Sequence, residues 1–406
     1  MTTAGEGIEL TRTGPGTAMG ALMRQYWIPA LLSSELLPGG APTRLMLLGE
    51  KLIAFRDTAG RVGVMDHRCP HRCASLFLGR NEGDGLRCVY HGWKFDTSGA
   101  CVDMPNVPPD QDFSRKVRAK AYPVVERTGL IWVYMGARSP APSLPALEIL
   151  DMPENEIRVV LIQRECNYLQ ALEGDIDTSH VGFLHAGHLD PDAVAEDEPV
   201  YNTVADRAPE YHVADAPWGT RYAAYRPAGN GVTYWRCTNF MFPFWTQQPA
   251  GEFNNHLNAR AWVPMDDEHV MFFFLWWKRG VSAMTQPQPA LKDGTPVGGM
   301  GRGNAFLPNT SDWLGRWRLA ANRGNDWRID RAAQQENAIY SGIAGIHLQD
   351  QAITESMGPI VDHEWEHLAP SDRMITRTRR RLLVAARAFR DDGVLPPGVE
   401  DAGVYR

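Results

Sequence analysis

The chain has 406 residues, 44% hydrophobic and 22% charged, with 41 basic against 48 acidic side chains and a formal net charge of −7. At about 150 residues per domain that is room for two or three domains with cores of their own, which excludes a small cross-linked scaffold. The acidic balance argues against a nucleic-acid binder, and the most apolar run, Val270 to Trp277, falls far short of the roughly 20 residues that span a bilayer, so no membrane span is expected.

Met1 to Gly16 has no charged lead-in ahead of an apolar run; no secretory signal is expected, and the chain is expected to work in the cytoplasm. In a compartment that keeps thiols reduced, six cysteines read as ligands or small buried residues rather than as disulfides. From Arg44 to Val64, β-prone runs (Leu45 to Leu48, Leu52 to Phe55, Val62 to Met65) alternate with turn signals at Gly49-Glu50 and Asp57 to Gly60, a pattern of antiparallel hairpins. Strand-like runs at Lys94-Phe95, Tyr122 to Val125 and Leu130 to Tyr134 extend this to an all-β domain over residues 41–140, closed by the prolines from Pro140 to Pro145. Residues 1–40 are expected as a helical segment packing on a larger domain. That domain, residues 141–406, reads as α+β: a helix over 166–185, long aromatic strands over 219–277 and a long helix over 330–357. Val281 to Gly303, rich in Gly, Pro and Gln, has no apolar period and reads as a mobile loop or lid. Its glycines follow no strand, which argues against a dinucleotide fingerprint.

Two constellations carry chemistry. In the β domain, Cys69-Pro70-His71 and Cys88-Val89-Tyr90-His91 each offer one thiolate and one imidazole, a four-donor set. Such paired loops can hold a two-iron, two-sulfur cluster with cysteines on one iron and histidines on the other, a one-electron carrier of raised potential. Zinc modules more often pair like with like, so the interleaved order argues against a structural zinc site. Cys73 is surplus to the four and reads as a small buried thiol, and Cys101, Cys166 and Cys237 read as core thiols.

The second constellation lies between Asn167 and His185. On a helix Glu173, Asp177 and His180 share one face, while His185 turns off it unless the helix widens or ends near Gly182. Two histidines and one carboxylate form the facial set that leaves positions open on non-haem Fe(II). In the last long helix Ile339, Ile343, Ile346, Asp350, Ile353 and Met357 fall on one stripe. An acid interrupting an apolar stripe needs a metal, a partner or water, which makes Asp350 the sharper candidate, with Asp362 next and a hydrogen-bonded, metal-free Asp350 as the bland alternative. His347, on the neighbouring edge, is available as a hydrogen-bond donor to the site.

The segments Arg68-Cys69-Pro70-His71-Arg72 and Cys88-Val89-Tyr90-His91-Gly92-Trp93-Lys94-Phe95, with Asp177-x2-His180-x4-His185 and the distant Asp350, resemble those of the Rieske non-haem iron oxygenases. Met19 to Ala30 and Gln349 to Ile360 look like the phthalate dioxygenase branch. The chain departs at Cys73, where relatives usually carry glycine. The resemblance covers nearly the whole chain and implies an N-terminal Rieske [2Fe-2S] domain and a helix-grip catalytic domain. Cys69, His71, Cys88 and His91 would hold the cluster, and His180, His185 and Asp350 a mononuclear Fe(II). By the same resemblance Asp177 bridges the centres, accepting a hydrogen bond from His91 of a neighbouring subunit while holding His180, so that the working unit is a homotrimer or a stack of trimers.

With no flavin or nicotinamide fingerprint, electrons from NAD(P)H must arrive through a separate reductase, which in the resembling branch carries flavin and a ferredoxin-type cluster. The implied reaction is dihydroxylation or O-demethylation of a phthalate-like aromatic carboxylate with O2. An arginine among aromatic side chains suits such a substrate. Of Arg207, Arg221, Arg226 and Arg236, Arg207 and Arg236 are taken as candidates. Arg377, Arg379, Arg380 and Arg381 read as a solvated helix face. Competing readings, an electron-transfer Rieske protein or a zinc-stabilised binding module, leave the second constellation unexplained.

Overall fold

The computed structural model describes residues 2–196, 198, 200–248, 256–278, 291–294 and 304–406. Most of the loop expected over 281–303 lies outside them. In chain order, helices α1 (Ala4–Thr11) and α2 (Ala18–Met23) precede strands β1 (Trp27–Leu32), β2 (Thr43–Leu47), β3 (Glu50–Arg56), β4 (Val62–Asp66), β5 (Arg80–Glu82), β6 (Gly85–Arg87), β7 (Lys94–Asp96), β8 (Cys101–Asp103), β9 (Ala121–Tyr122), β10 (Val124–Arg127) and β11 (Leu130–Tyr134). There follow β12 (Arg158–Arg164), α3 (Tyr168–Ile176), α4 (Tyr201–Ala205), β13 (Glu210–Ala216), β14 (Gly219–Pro227), β15 (Thr233–Met241), β16 (Trp245–Gln247), β17 (His256–Pro264) and β18 (Val270–Lys278). The chain ends with α5 (Arg331–Gln335), α6 (Ile346–Ser356) and α7 (Arg373–Asp392).

The first half is all β, with sheets ordered β2-β3-β4-β9, β5-β6-β7-β8 and β1-β11-β10. Strand β3 shows how alternation builds it: Leu52 and Ala54 point into the large core, while Ile53 and Phe55 point into a smaller one under the Cys/His loops. The expectation that residues 1–40 are helical holds only in part. Helices α1 and α2 pack on α7, but β1 pairs antiparallel with β11 and so belongs to the β half.

The second half is built on one seven-stranded antiparallel sheet, β12-β18-β17-β16-β15-β14-β13. Its long strands are the aromatic runs read from the sequence: Val270 to Lys278 pairs residue for residue with His256 to Pro264. Each large apolar side chain buried in this way contributes about 1.5–3 kcal/mol. Trp132 of β11 stacks on Trp245 of β16 at 5.7 Å, so one core runs through both halves.

Two expected helices are shorter than read. The helix over 166–185 stops at Ile176: Asp177 is extended (φ −86, ψ 119), and its carboxylate accepts from the Ser179 backbone at 2.6 Å, a side-chain-closed turn that competes with helix. His180–Gly182 is a single 3-10 turn. The helix over 330–357 is two helices, because Gly342 (φ 70) and Gly345 (φ 99) break it; a Cβ at Gly342 would lie 2.6 Å from the Asp330 carbonyl. Ile339 and Ile343 therefore precede α6. The stripe through Asp350 is not a buried one either, since Ile353 and Met357 are exposed.

The arginines of α7 also differ from expectation. Arg377 and Arg380 are exposed, but Arg379 is buried, its guanidinium on Glu173 of α3 at 2.5 and 2.6 Å and on Glu366 at 2.5 and 2.9 Å. Glu173 thus serves α3–α7 docking and takes no part in a metal-facing stripe. Apolar spacing on a helix does not report which polar residue meets a buried charge on another helix.

Candidate metal centres

In the β domain two loops place Cys69 and His71 opposite Cys88 and His91. Each closes by the same turn: the backbone of Cys73 donates to the Cys69 carbonyl at 2.9 Å, and that of Gly92 to the Cys88 carbonyl at 3.0 Å. Both closing residues have positive φ, 60 at Cys73 and 82 at Gly92. That conformation suits glycine, which gives a physical reason for the glycine usual at position 73. Cys73 is exposed, contrary to the buried thiol expected; Cys101 and Cys166 are buried, and Cys237 is half-buried.

The thiols of Cys69 and Cys88 are buried and adjacent, and burial pushes Cys69 up to about 12. A thiol held un-ionised by burial, beside a second buried thiol, gains from a cation able to take it as a thiolate. The imidazoles stand nearer the surface, ring centroids 4.4 Å apart, with His71 stacked on Trp93. His91 Nδ1 is buried without a hydrogen-bond partner, the state of a nitrogen reserved for a metal. These features fit a two-iron, two-sulfur cluster.

In the second half His180 Nε2 lies 3.2 Å from His185 Nε2 and 3.5 Å from Asp350 Oδ1, and His185 Nε2 lies 3.1 Å from the same oxygen. Donors about 2.1 Å from one ion at right angles stand about 3 Å apart, so the three atoms match one triangular face around a metal. Among the described residues this is the one group of three His, Cys, Asp or Glu that converges on a point. Asp362 is not part of it.

The neighbouring residues tune this face. His185 Nδ1 donates to Gln349 Oε1 at 2.6 Å, and Gln349 Nε2 donates to the Ile343 carbonyl, fixing which end of the amide faces the imidazole. This leaves Nε2 of His185 free as an acceptor. Sequence reading passed over Gln349, although it precedes Asp350 directly, and offered His347 instead. His347 packs its ring 5.0 Å from Phe272, and its Nε2 is buried without a partner. Asp177 Oδ2 lies 3.4 Å from His180 Nδ1. Burial disfavours a charged His180, but Asp177 and Asp350 outweigh it and raise its pKa to about 10. The local field therefore favours a cation here, which fits Fe(II).

Of the candidate substrate residues, Arg236 donates through Nε to Thr178 Oγ1 at 2.9 Å, next to Asp177. Arg207 packs over Phe183 and donates to the Leu189 carbonyl at 3.3 Å, its Nε buried and unpartnered. Arg221 is exposed, on the other face of the sheet.

Residues 26–123 match the Rieske [2Fe-2S] domain and residues 133–402 the family described as LigXa C-terminal domain like. The chain belongs to the Rieske non-haem iron oxygenases and is the terminal oxygenase of a Rieske aromatic system. It is 54% identical to the 3-chlorobenzoate-3,4-dioxygenase oxygenase subunit of Comamonas testosteroni, covering 98% of this chain and 91% of that protein. It is 37% identical to the phthalate 4,5-dioxygenase oxygenase subunit of Pseudomonas putida, covering 96% and 87%. The caffeine-bound NdmA of Pseudomonas putida CBB5 shares the fold, with a TM-score of 0.61 at 18% identity over 96% of this chain and 97% of that one. No described helix is long and apolar enough to cross a membrane.

Proposed function

We propose that this oxygenase dihydroxylates the ring of an aromatic carboxylate, with Cys69, His71, Cys88 and His91 holding the [2Fe-2S] cluster and His180, His185 and Asp350 holding Fe(II). The observation that carries this reading is the meeting of two Nε2 atoms and one carboxylate oxygen within 3.1–3.5 Å, on a site whose field favours a cation. An Fe(II) bound there supplies dioxygen activation, with electrons from NAD(P)H delivered through a separate flavin- and ferredoxin-type reductase and the cluster. Overall the ring gains both atoms of O2, and the two electrons and two protons needed come from NAD(P)H and solvent. The 54% identity to a protein named for 3-chlorobenzoate 3,4-dioxygenation favours ring dihydroxylation of a benzoate over O-demethylation of a methoxylated acid.

Asp177 is assigned the bridge between centres. Its carboxylate, 24% exposed, reaches Ser179 and His180, while His91 packs edge-on to His71 and tilted against Tyr90. Among the described residues the two do not bond within one chain; the family resemblance supports His91 of another copy in a homotrimer as the partner for Asp177. Ile353, Met357 and Phe183, exposed around the iron site, would be covered by that copy.

A single turnover tests the reaction. Chemically reduced, iron-replete protein is mixed with 18O2 and 3-chlorobenzoate, phthalate or methoxybenzoates, and products are read by mass spectrometry. A diol carrying two labelled oxygens is expected. A demethylated phenol with formaldehyde would replace dihydroxylation by O-demethylation, and no product from any acid would discard the carboxylate.

A further inference from the structure

Period-2 alternation on β14 buries Thr220, Tyr222, Ala224 and Arg226 on one face. Cross-strand register sets Tyr211 of β13 and Arg236 of β15 on either side of Ala224, the shortest side chain in that row. Through Thr178, Arg236 joins this face to the segment carrying Asp177 and His180. Tyr211 lies within electrostatic range of both Asp177 and Arg226.

Arg226 is 1% exposed. Its Nε donates to the Asp206 carbonyl at 2.6 Å, but Nη1 and Nη2 are buried with no hydrogen-bond partner among the described residues. The Tyr211 hydroxyl is likewise buried, facing the Ser179 side chain without a hydrogen bond of good geometry. The Asp206 carboxylate is turned away to accept from the Ala208 backbone. Of the other buried arginines of this half, Arg379 meets two carboxylates, Arg316 meets Glu35, and Arg164 donates to Thr354 and lies over Trp262; Arg226 meets no carboxylate, and both of its Nη atoms are unpaired. A guanidinium taken out of water with its donor fork unpaired is costly, and an anion that enters the site removes that cost. The Nη1/Nη2 fork matches the two oxygens of a carboxylate, and the Tyr211 and Tyr222 rings, 5.7 Å apart and edge-to-face, offer a wall for an aromatic ring.

We propose that Arg226, with the Tyr211 hydroxyl as second donor, anchors the substrate's carboxylate and sets the preference for an aromatic acid over its neutral counterpart. The assignment rests on the aromatic-acid reading above and adds Arg226 to the arginines picked from sequence.

The test titrates holoenzyme, loaded with cluster and iron, with 3-chlorobenzoate and 3-chlorobenzamide by calorimetry, in wild type, Arg226→Gln, Arg226→Lys and Tyr211→Phe. Arg226→Gln is expected to weaken the acid by about 100-fold and Tyr211→Phe by about 10-fold, as for lost hydrogen bonds to a charged group. Amide affinity should hold within about 3-fold, and the cluster spectrum and iron content should not change. Arg226 variants that keep the acid's affinity, or lose acid and amide together, overturn the anchor. If Arg226→Gln does not fold or load, Arg226→Lys and Tyr211→Phe decide by the same criterion. A wild type that binds no aromatic acid sinks the underlying reading; a wild type that binds it while every variant binds it equally sinks the anchor alone.

Discussion

At the cluster loops all four donors lie between positions 69 and 91, on two loops closed by the same backbone turn over a small core of their own. At the iron site two donors sit on an irregular stretch after α3, one of them, His185, oriented by Gln349 of α6; the third donor, Asp350, comes from α6 itself, and an α3–α7 ion pair holds the platform. The first site needs two hairpins to form; the second needs helices far apart in sequence to dock. The lesson is that a local motif and a tertiary constellation should fail independently and at different thresholds.

The largest expected effect is a double dissociation. Asp350→Ala should lose the mononuclear iron and all turnover while keeping the cluster's visible spectrum, and Cys69→Ser should lose the cluster while keeping the iron. Metal analysis with absorbance checks both; a variant that loses both metals would break the comparison. Next, Arg379→Ala leaves Glu173 buried without its partner and should destabilise the fold by roughly 3–5 kcal/mol, read by chemical denaturation. The iron site should melt before the cluster, and simultaneous loss would argue for one cooperative unit.

Asp177→Asn keeps size but removes charge, and should slow cluster reoxidation by about 100-fold with both metals retained, the upper end for a partner that orients a ligand. Stopped-flow bleaching of the reduced cluster measures it, and a normal rate would remove Asp177 from the electron path. The smallest effect is expected for Gln349→Leu, which deletes one neutral hydrogen bond to His185. Iron affinity should fall by about 10-fold, seen by competition with a chelator, while the cluster stays unchanged.

The sequence by itself determined the two-part architecture, the long strands of the seven-stranded sheet and the family, because strand alternation and closely spaced Cys and His donors are local signals. His180, His185 and Asp350 were legible as candidates from residue type and spacing. The supporting argument for Asp350 was not sound in detail, since its stripe is broken at Gly342 and Gly345 and runs out to exposed Ile353 and Met357. Only the tertiary structure decided that α3 stops at Ile176, that Glu173 belongs to Arg379, that Gln349 rather than His347 meets His185, and that Arg226 is buried without a counter-charge. Each of these turns on which polar group ends up facing which across elements distant in sequence. Periodicity reports the face a residue occupies, whereas the partner it finds there is set by how helices and sheet dock.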